Sequence, residues 1–419
     1  MVTENPNQKL HPPKAALIMA GTMATCDEKG ALEIKKGICL RVRDGYIEEV
    51  SKDLQPRDDE QVIDAKNQFI TPSFCDPHTH LWPENRSKEF AMRAAGKSYQ
   101  EIAAAGGGII NSMKQFRQMT AEEIIAFNRK ILERFWRKGT TLLELKSGYG
   151  LDLPSEIKAL RVIKTLADEF QGKIKIIPTF LGAHAIPPEF SGDGDGYIEH
   201  ICQRMIPQIA KARLAVYCDV FCEKELGFSP QQAEKIILCA KNHGLGVRIH
   251  ADEFQDSGAA AIAGRHQVNS ADHLAAISEE GIAALIEGGV FAIACPATML
   301  ALGQSEHAPL DKIIASGGRF ALASDYNPGS NPSYQSMSLI WRLGVTHNKL
   351  SVEQGFAAVT VFAAQSLGEH HRGFIAPGTV ADLLFWNDVK ELEDIPYRLL
   401  EESLVGIMNN GILRNVSSC

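Results

Sequence analysis

Ile70-Thr71-Pro72-Ser73-Phe74-Cys75-Asp76-Pro77-His78-Thr79-His80 is the stretch on which the reading of this chain turns. Residues 70–76 make a mostly apolar run of extended character, and two histidines follow it two positions apart. On extended backbone, residues i and i+2 point to the same side, so His78 and His80 can present two imidazoles to one metal ion. An isolated His-x-His says little. One that directly follows a strand sits where βα proteins keep their chemistry, at the strand's C-terminal end. Other polar residues should then interrupt apolar runs at the ends of further strands.

The chain downstream meets that expectation. Short β-branched or apolar runs at 70–76, 140–146, 175–181, 215–221, 246–250, 268–272, 290–294 and 320–324 alternate with helical periodicity at 121–138, 154–170, 198–211, 230–242 and 279–287. Alternation of this kind predicts parallel βα units, and eight of them predict a closed (β/α)8 barrel of the TIM type. An open doubly wound sheet is the alternative, but no glycine fingerprint for a nucleotide follows any of these runs. Gly106-Gly107-Gly108 follows a helix-like stretch and makes a poor phosphate loop. Residues 15–70 read instead as short strands broken by Gly, Asp and Lys, and the C-terminal segment resumes that character. A small β-sandwich domain built from 1–70 and 370–419, flanking a barrel of 71–369, is the expected organisation.

The length of 419 residues suits a barrel plus a companion domain, and 45% hydrophobic residues can fill a large core. A net charge of −8 argues against a nucleic-acid partner. The nine cysteines include no CxxC pair, and no run is long and apolar enough to span a membrane. A cytoplasmic enzyme is expected, with a homodimer left open.

His250 ends the fifth run and Asp325 follows the eighth. A carboxylate buried at a strand end needs a partner. A metal held by His78, His80, His250 and Asp325 supplies one, and leaves an open position as catalytic sites do. Nitrogen and carboxylate ligands fit Zn2+ or iron alike. Such an ion lowers the pKa of water and polarises a carbonyl. His273, after the sixth run, is a candidate for steadying an oxyanion, for ligation, or for capping a helix. Glu253, three residues past His250, is placed to shuttle a proton. Arg86 offers a bidentate fork to a carboxylate, although surface arginines are common. In Lys146-Ser147-Gly148-Tyr149-Gly150 the glycines allow close approach of a ligand, with a plain tight turn as the alternative. His184, after the third run, is a candidate donor to a ring oxygen or an ordinary loop histidine.

Asp76-Pro77-His78-Thr79-His80-Leu81, Ala105-Gly106-Gly107-Gly108-Ile109, Lys146-Ser147-Gly148-Tyr149-Gly150, Gly182-Ala183-His184-Ala185-Ile186-Pro187-Pro188, His250-Ala251-Asp252-Glu253 and Ser324-Asp325-Tyr326-Asn327-Pro328-Gly329 together resemble the imidazolonepropionase family of the amidohydrolase superfamily. The His-x-His and the final aspartate are shared across the superfamily; the second and fourth loops are more specific. The resemblance implies metal ligands at His78, His80, His250 and Asp325. It implies substrate contacts at Arg86, Tyr99, Tyr149, His184, Glu253, His273, Asn327, Gly329 and Ser330. It also implies hydrolysis of 4-imidazolone-5-propanoate to N-formimidoyl-L-glutamate in histidine degradation. Arg86 stands one residue closer to the His-x-His than the family places its arginine, which makes Lys88 the nearest substitute. The rival readings are another mononuclear amidohydrolase or aminohydrolase acting on a heterocycle, and a non-catalytic scaffold of the same fold. A dinuclear site would need a lysine on the fourth strand, and residues 215–221 contain none.

Overall fold

The computed structural model describes residues 15–416, apart from 82–85, 98–100, 102–104, 106, 225, 332–334 and 400. Tyr99 therefore lies outside the described residues. Seven strands from the two ends form one sheet, and eight form the barrel.

The terminal sheet contains β1 (Ala15–Cys26), β2 (Leu32–Arg43), β3 (Tyr46–Ser51) and β4 (Gln61–Pro72) from the first part of the chain. The barrel follows with β5 (Phe74–Asp76), β6 (Thr140–Lys146), β7 (Lys175–Ala183), β8 (Tyr217–Cys222), β9 (Gly246–Ala251), β10 (Ser270–His273), β11 (Phe291–Ala294) and β12 (Arg319–Leu322). The last three, β13 (Leu383–Trp386), β14 (Leu404–Asn409) and β15 (Ile412–Asn415), return to the terminal sheet, whose order is β15-β14-β13-β4-β1-β2-β3. Its edge strand β3 is tied back to the segment before β13, where the Ile47 N–H donates to Thr379 O at 2.8 Å. The sheet thus folds over its own apolar cluster, including Ile18, Leu40, Ile47, Leu383, Phe385 and Met408, as the expected sandwich.

The opening stretch needs one correction. Residues 70–76 are not one barrel strand. Ile70, Thr71 and Pro72 pair with β13, and only Phe74–Asp76 pairs with β6. Ser73 is the crossing point: its N–H donates to Asp382 O at 3.0 Å on the sheet side, while the Phe74 N–H donates to Gly139 O at 3.0 Å on the barrel side. An apolar run buried throughout gives no sign of which sheet takes each half.

Between the barrel strands, the helices begin where side chains cap them. Thr120 and Ser229 close capping boxes with Glu123 and Gln232, and Asp152 caps the helix Leu153–Glu169. The helix expected over 198–211 instead starts at Gly194 and widens into a π-turn at Ile201–Met205. Pro207, inside the next helical turn, has no N–H to donate to the preceding turn, and the wider turn accommodates it.

The barrel strands run parallel in chain order from β5 to β12. The seam between first and last closes just beyond them, through a parallel bridge between Thr79 and Tyr326 and an N–H of Asp325 donating to His78 O at 3.0 Å. Asp76 reinforces it by accepting from the Ser324 N–H at 3.1 Å and the Ser324 hydroxyl at 2.5 Å.

On the outer face, the helices Ala259–Arg265 and Glu279–Gly288 cross at Gly264 and Gly288. A Cβ at Gly264 would lie 2.2 Å from Ala284 O, and one at Gly288 would lie 2.4 Å from Gly264 O. Both obstacles are backbone, so neither can rotate away. Gly264→Val is expected to destabilise the fold by about 1–3 kcal/mol, read as a lower thermal midpoint. An unchanged midpoint would show that the two helices can separate without loss.

Candidate active site

The C-terminal ends of the barrel strands enclose a cavity of about 520 Å3. His80, His250, His273, Glu253 and Asp325 line it, together with Tyr149, His184 and Phe221. Arg86, Glu89, Arg93 and Lys97 line it as well, with Gly329 and Ser330. His78 lies fully buried beneath.

The imidazole nitrogens of His78, His80 and His250 converge to within 4.8 Å of one another. Asp325 Oδ1 lies 3.4 Å from His78 Nε2 and 3.2 Å from His80 Nε2, while the two Nε2 atoms are 3.3 Å apart. Lone pairs brought this close, facing a carboxylate oxygen, are best satisfied by a cation among them. The donor set fits a metal ion.

Carboxylates behind the histidines fix their orientation. His78 Nδ1 meets Asp272 Oδ2 at 2.6 Å, and His250 Nδ1 meets Asp219 Oδ2 at 3.1 Å. The His78 contact leaves Nε2 toward the cluster and makes that ring a better donor. Asp325 is held by Thr298, whose hydroxyl donates to Oδ2 at 2.7 Å, leaving Oδ1 toward the histidines. Asp325 and His273 both adopt left-handed backbone, at φ 48° and 79°. Residues with a Cβ hold that conformation only where the surroundings impose it, as functional sites do.

Burial shapes the charge of the site. It lowers His250 well below the ordinary histidine value, His184 to about 3 and His273 to about 4, so these rings are neutral near pH 7. Burial opposes a charged His78, yet Asp272 and Asp325 outweigh it and raise that ring to about 9. That same pull would favour a bound cation. Burial also raises Asp325, but hydrogen bonding with His78 and His80 overrides it and holds the carboxyl well below its usual range. Glu253 is raised well above the usual range, first by burial and then by the Asp325 charge. Its loop is anchored by Glu223, which accepts the N–H groups of Glu253, Phe254 and Gln255 at 2.8, 3.1 and 3.1 Å.

The remaining candidates gather around this centre. His184 stacks on His80 with ring centroids 5.4 Å apart, and its Nδ1 lies 3.0 Å from Gly148 O. That contact assigns the proton of the neutral ring to Nδ1 and leaves Nε2 as an acceptor, where the sequence suggested a donor. Tyr149 meets both His80 and His184 edge-on. Gly148, at φ 113°, brings its backbone so near Leu181 that a Cβ would lie 2.8 Å from Leu181 O. Asn327 spends its side chain on its own loop, accepting from the Gly329 and Ser330 N–H groups, both at 2.8 Å, and donating to Asp325 O at 2.8 Å. Ser330 Oγ lies 3.4 Å from Asp325 Oδ2. Lys88 is not among the cavity-lining residues, whereas Arg86 is.

Sequence reading missed Asp219, Asp272, Glu89 and Arg93. The first two carried a signal: each is a buried acid inside a mostly buried strand. Arg86, Glu89 and Arg93 recur at helical spacing around the helix Ser87–Ala94, which places them on one face.

Residues 113–405 match the family model described as Amidohydrolase family, and the chain is an amidohydrolase, a hydrolytic enzyme. Solved structures of similar fold include a triazine hydrolase variant (TM-score 0.76, 16% identity, 96% of this chain and 95% of that one) and guanine deaminase from C. acetobutylicum (0.70, 16%, 95% and 99%). At that identity they speak for the fold alone. An imidazolonepropionase of Idiomarina loihiensis is 38% identical over 398 residues, 94% of this chain and 96% of the relative. One of Pseudomonas aeruginosa is 40% identical over 349 residues, 83% and 86%. The chain belongs to the imidazolonepropionase family.

If Asp272 orients His78, Asp272→Asn should weaken metal retention by roughly tenfold to a hundredfold with the circular dichroism spectrum unchanged. Competition against a chelator of known affinity measures it. Wild-type retention would remove Asp272 from the ligand-orienting role.

Proposed function

We propose that this protein hydrolyses 4-imidazolone-5-propanoate to N-formimidoyl-L-glutamate, a step of histidine degradation. One observation carries the reading beyond kinship. A single cavity is lined both by the metal-ligand candidates and by a cationic helix face. That combination suits a small molecule that carries both a ring carbonyl and a carboxylate.

In this reading His78, His80, His250 and Asp325 hold one Zn2+ or iron ion. When bound, the ion lowers the pKa of water and polarises the ring carbonyl. Water adds to the ring carbonyl carbon, the adjacent ring C–N bond breaks, and a proton must reach the leaving nitrogen. Glu253 carries that proton, its carboxyl being raised well above the usual carboxylate range by burial and the Asp325 charge. His273, neutral, donates toward the oxygen that gains charge. His184 accepts a ring N–H through Nε2, and Tyr149 closes the wall beside it. Asn327, Gly329 and Ser330 hold the loop that carries Asp325, while Arg86 faces the propionate. A cytoplasmic location and a division into a barrel of 71–369 and a β domain of 1–70 and 370–419 belong to the same reading.

Loss of imidazolone absorbance, with N-formimidoyl-L-glutamate as product, tests it. The wild type should consume the compound, and His250→Ala should lose both metal and activity. Metal-loaded wild type that leaves the imidazolone untouched while deaminating guanine or cytosine would overturn the substrate assignment.

Glu253 also predicts a pH profile. The base form is lost as pH falls through its raised pKa, so the acid limb of kcat/KM should lie above the range of an ordinary carboxylate. Glu253→Gln should remove that limb and lower kcat by about 10^2–10^4. A limb unchanged in Glu253→Gln would assign it to another group.

A further inference from the structure

The cationic wall of the cavity contains two arginines in different electrostatic states. Arg86 is matched by Glu89: the carboxylate accepts from Arg86 Nη2 through one oxygen and from the Gly108 N–H through the other, at 3.0 Å. Both side chains are nearly buried, at 9% and 8% exposure. The pair is close to neutral as a unit. Arg93, about two helical turns past Arg86 on the same face, has no such match. Its Nη1 and Nη2 lie 3.3 and 3.2 Å from Gly329 O. Among the described residues no carboxylate comes within ion-pair distance of it. Lys97, the third cation of the wall, is paired with Glu101 at 2.9 Å.

Gly329 joins the two arginines. A Cβ on it would sit 2.6 Å from Arg86 Nη1, so the guanidinium of Arg86 packs directly on the Gly329 backbone while Arg93 grips the Gly329 carbonyl. The loop leading from Asp325 is clasped from both sides. An uncharged carbonyl positions Arg93 without cancelling its charge. A half-buried guanidinium in that state is costly until an anion arrives. An entering carboxylate would compete with Glu89 for Arg86, but with no acid for Arg93.

We propose that Arg93 is a specificity-determining residue that supplies the charge recognising the substrate's carboxylate, with the Arg86–Glu89 pair fixing the direction from which it is met. This rests on the reading of the cavity as one for a carboxylate-bearing imidazolone.

The test is equilibrium binding, by calorimetry on metal-loaded protein, of 3-(imidazol-4-yl)propanoate and of its primary amide, which keeps ring and chain but not the charge. Wild type should prefer the acid. Arg93→Gln should weaken the acid by roughly tenfold to a hundredfold and leave the amide unchanged. Arg93→Lys, which keeps the charge without the fork, should recover part of the preference. Arg93→Gln that retains the wild-type preference for acid over amide, or a wild type with no preference, overturns the proposal. Turnover of the imidazolone, assayed separately, distinguishes the two readings. A preference that collapses in Arg93→Gln without any hydrolysis by wild type would sustain the carboxylate subsite and sink the hydrolase. Hydrolysis by wild type, with the preference intact in Arg93→Gln, would do the reverse.

Discussion

A ladder of charges inside the barrel is the constraint on which the site depends. Lys146 Nζ lies 2.8 Å from Glu144 Oε2 and 2.7 Å from Asp219 Oδ2, and Arg248 Nε lies 3.0 Å from Glu144 Oε1. Arg248 also reaches Asp272, at 3.4 Å. All five side chains are completely buried. Charges so far from water are tolerable only when each lies beside its opposite. That requirement sets the two aspartates in place, and the aspartates set His78 and His250. The proposed ligands are therefore only as well positioned as the ion pairs behind them. This interior also departs from the branched apolar layers that usually fill such barrels.

Much of this was legible in the sequence, because periodicity and strand-end placement are local signals. The strand over 140–146 and the helix over 230–242 fall where the pattern placed them, and the other barrel strands differ mainly at their ends. The metal-ligand candidates were visible because histidines and an aspartate interrupt apolar runs. What was not legible depends on distance in the chain. Asp272 meets His78 across 194 positions, a pairing that only the closed barrel creates. The switch of sheets at Ser73 was hidden because both halves of the run are equally buried. The tautomer of His184 follows from a carbonyl 36 positions away.

The loops divide the labour between class and specificity. The His-x-His, His250 and Asp325 stand on strand ends that any amidohydrolase barrel could offer, and solved structures at 16% identity share that fold. The helix Ser87–Ala94, the turn around Gly148 and the Asn327 loop lie outside the strands and shape the rest of the cavity. Rigid strands fix the reacting centre, and variable loops decide what reaches it.

The seam of the barrel has a consequence for the order of biosynthesis. His78 and Asp325, two of the four proposed ligands, are also the residues whose backbones join across the closing edge. One lies early in the chain and the other late, separated by every barrel strand between them. A ribosome must therefore release nearly the whole barrel before the fourth proposed ligand can face the other three. A growing chain offers at most an incomplete set of these donors, so the complete set coincides with completion of the ring.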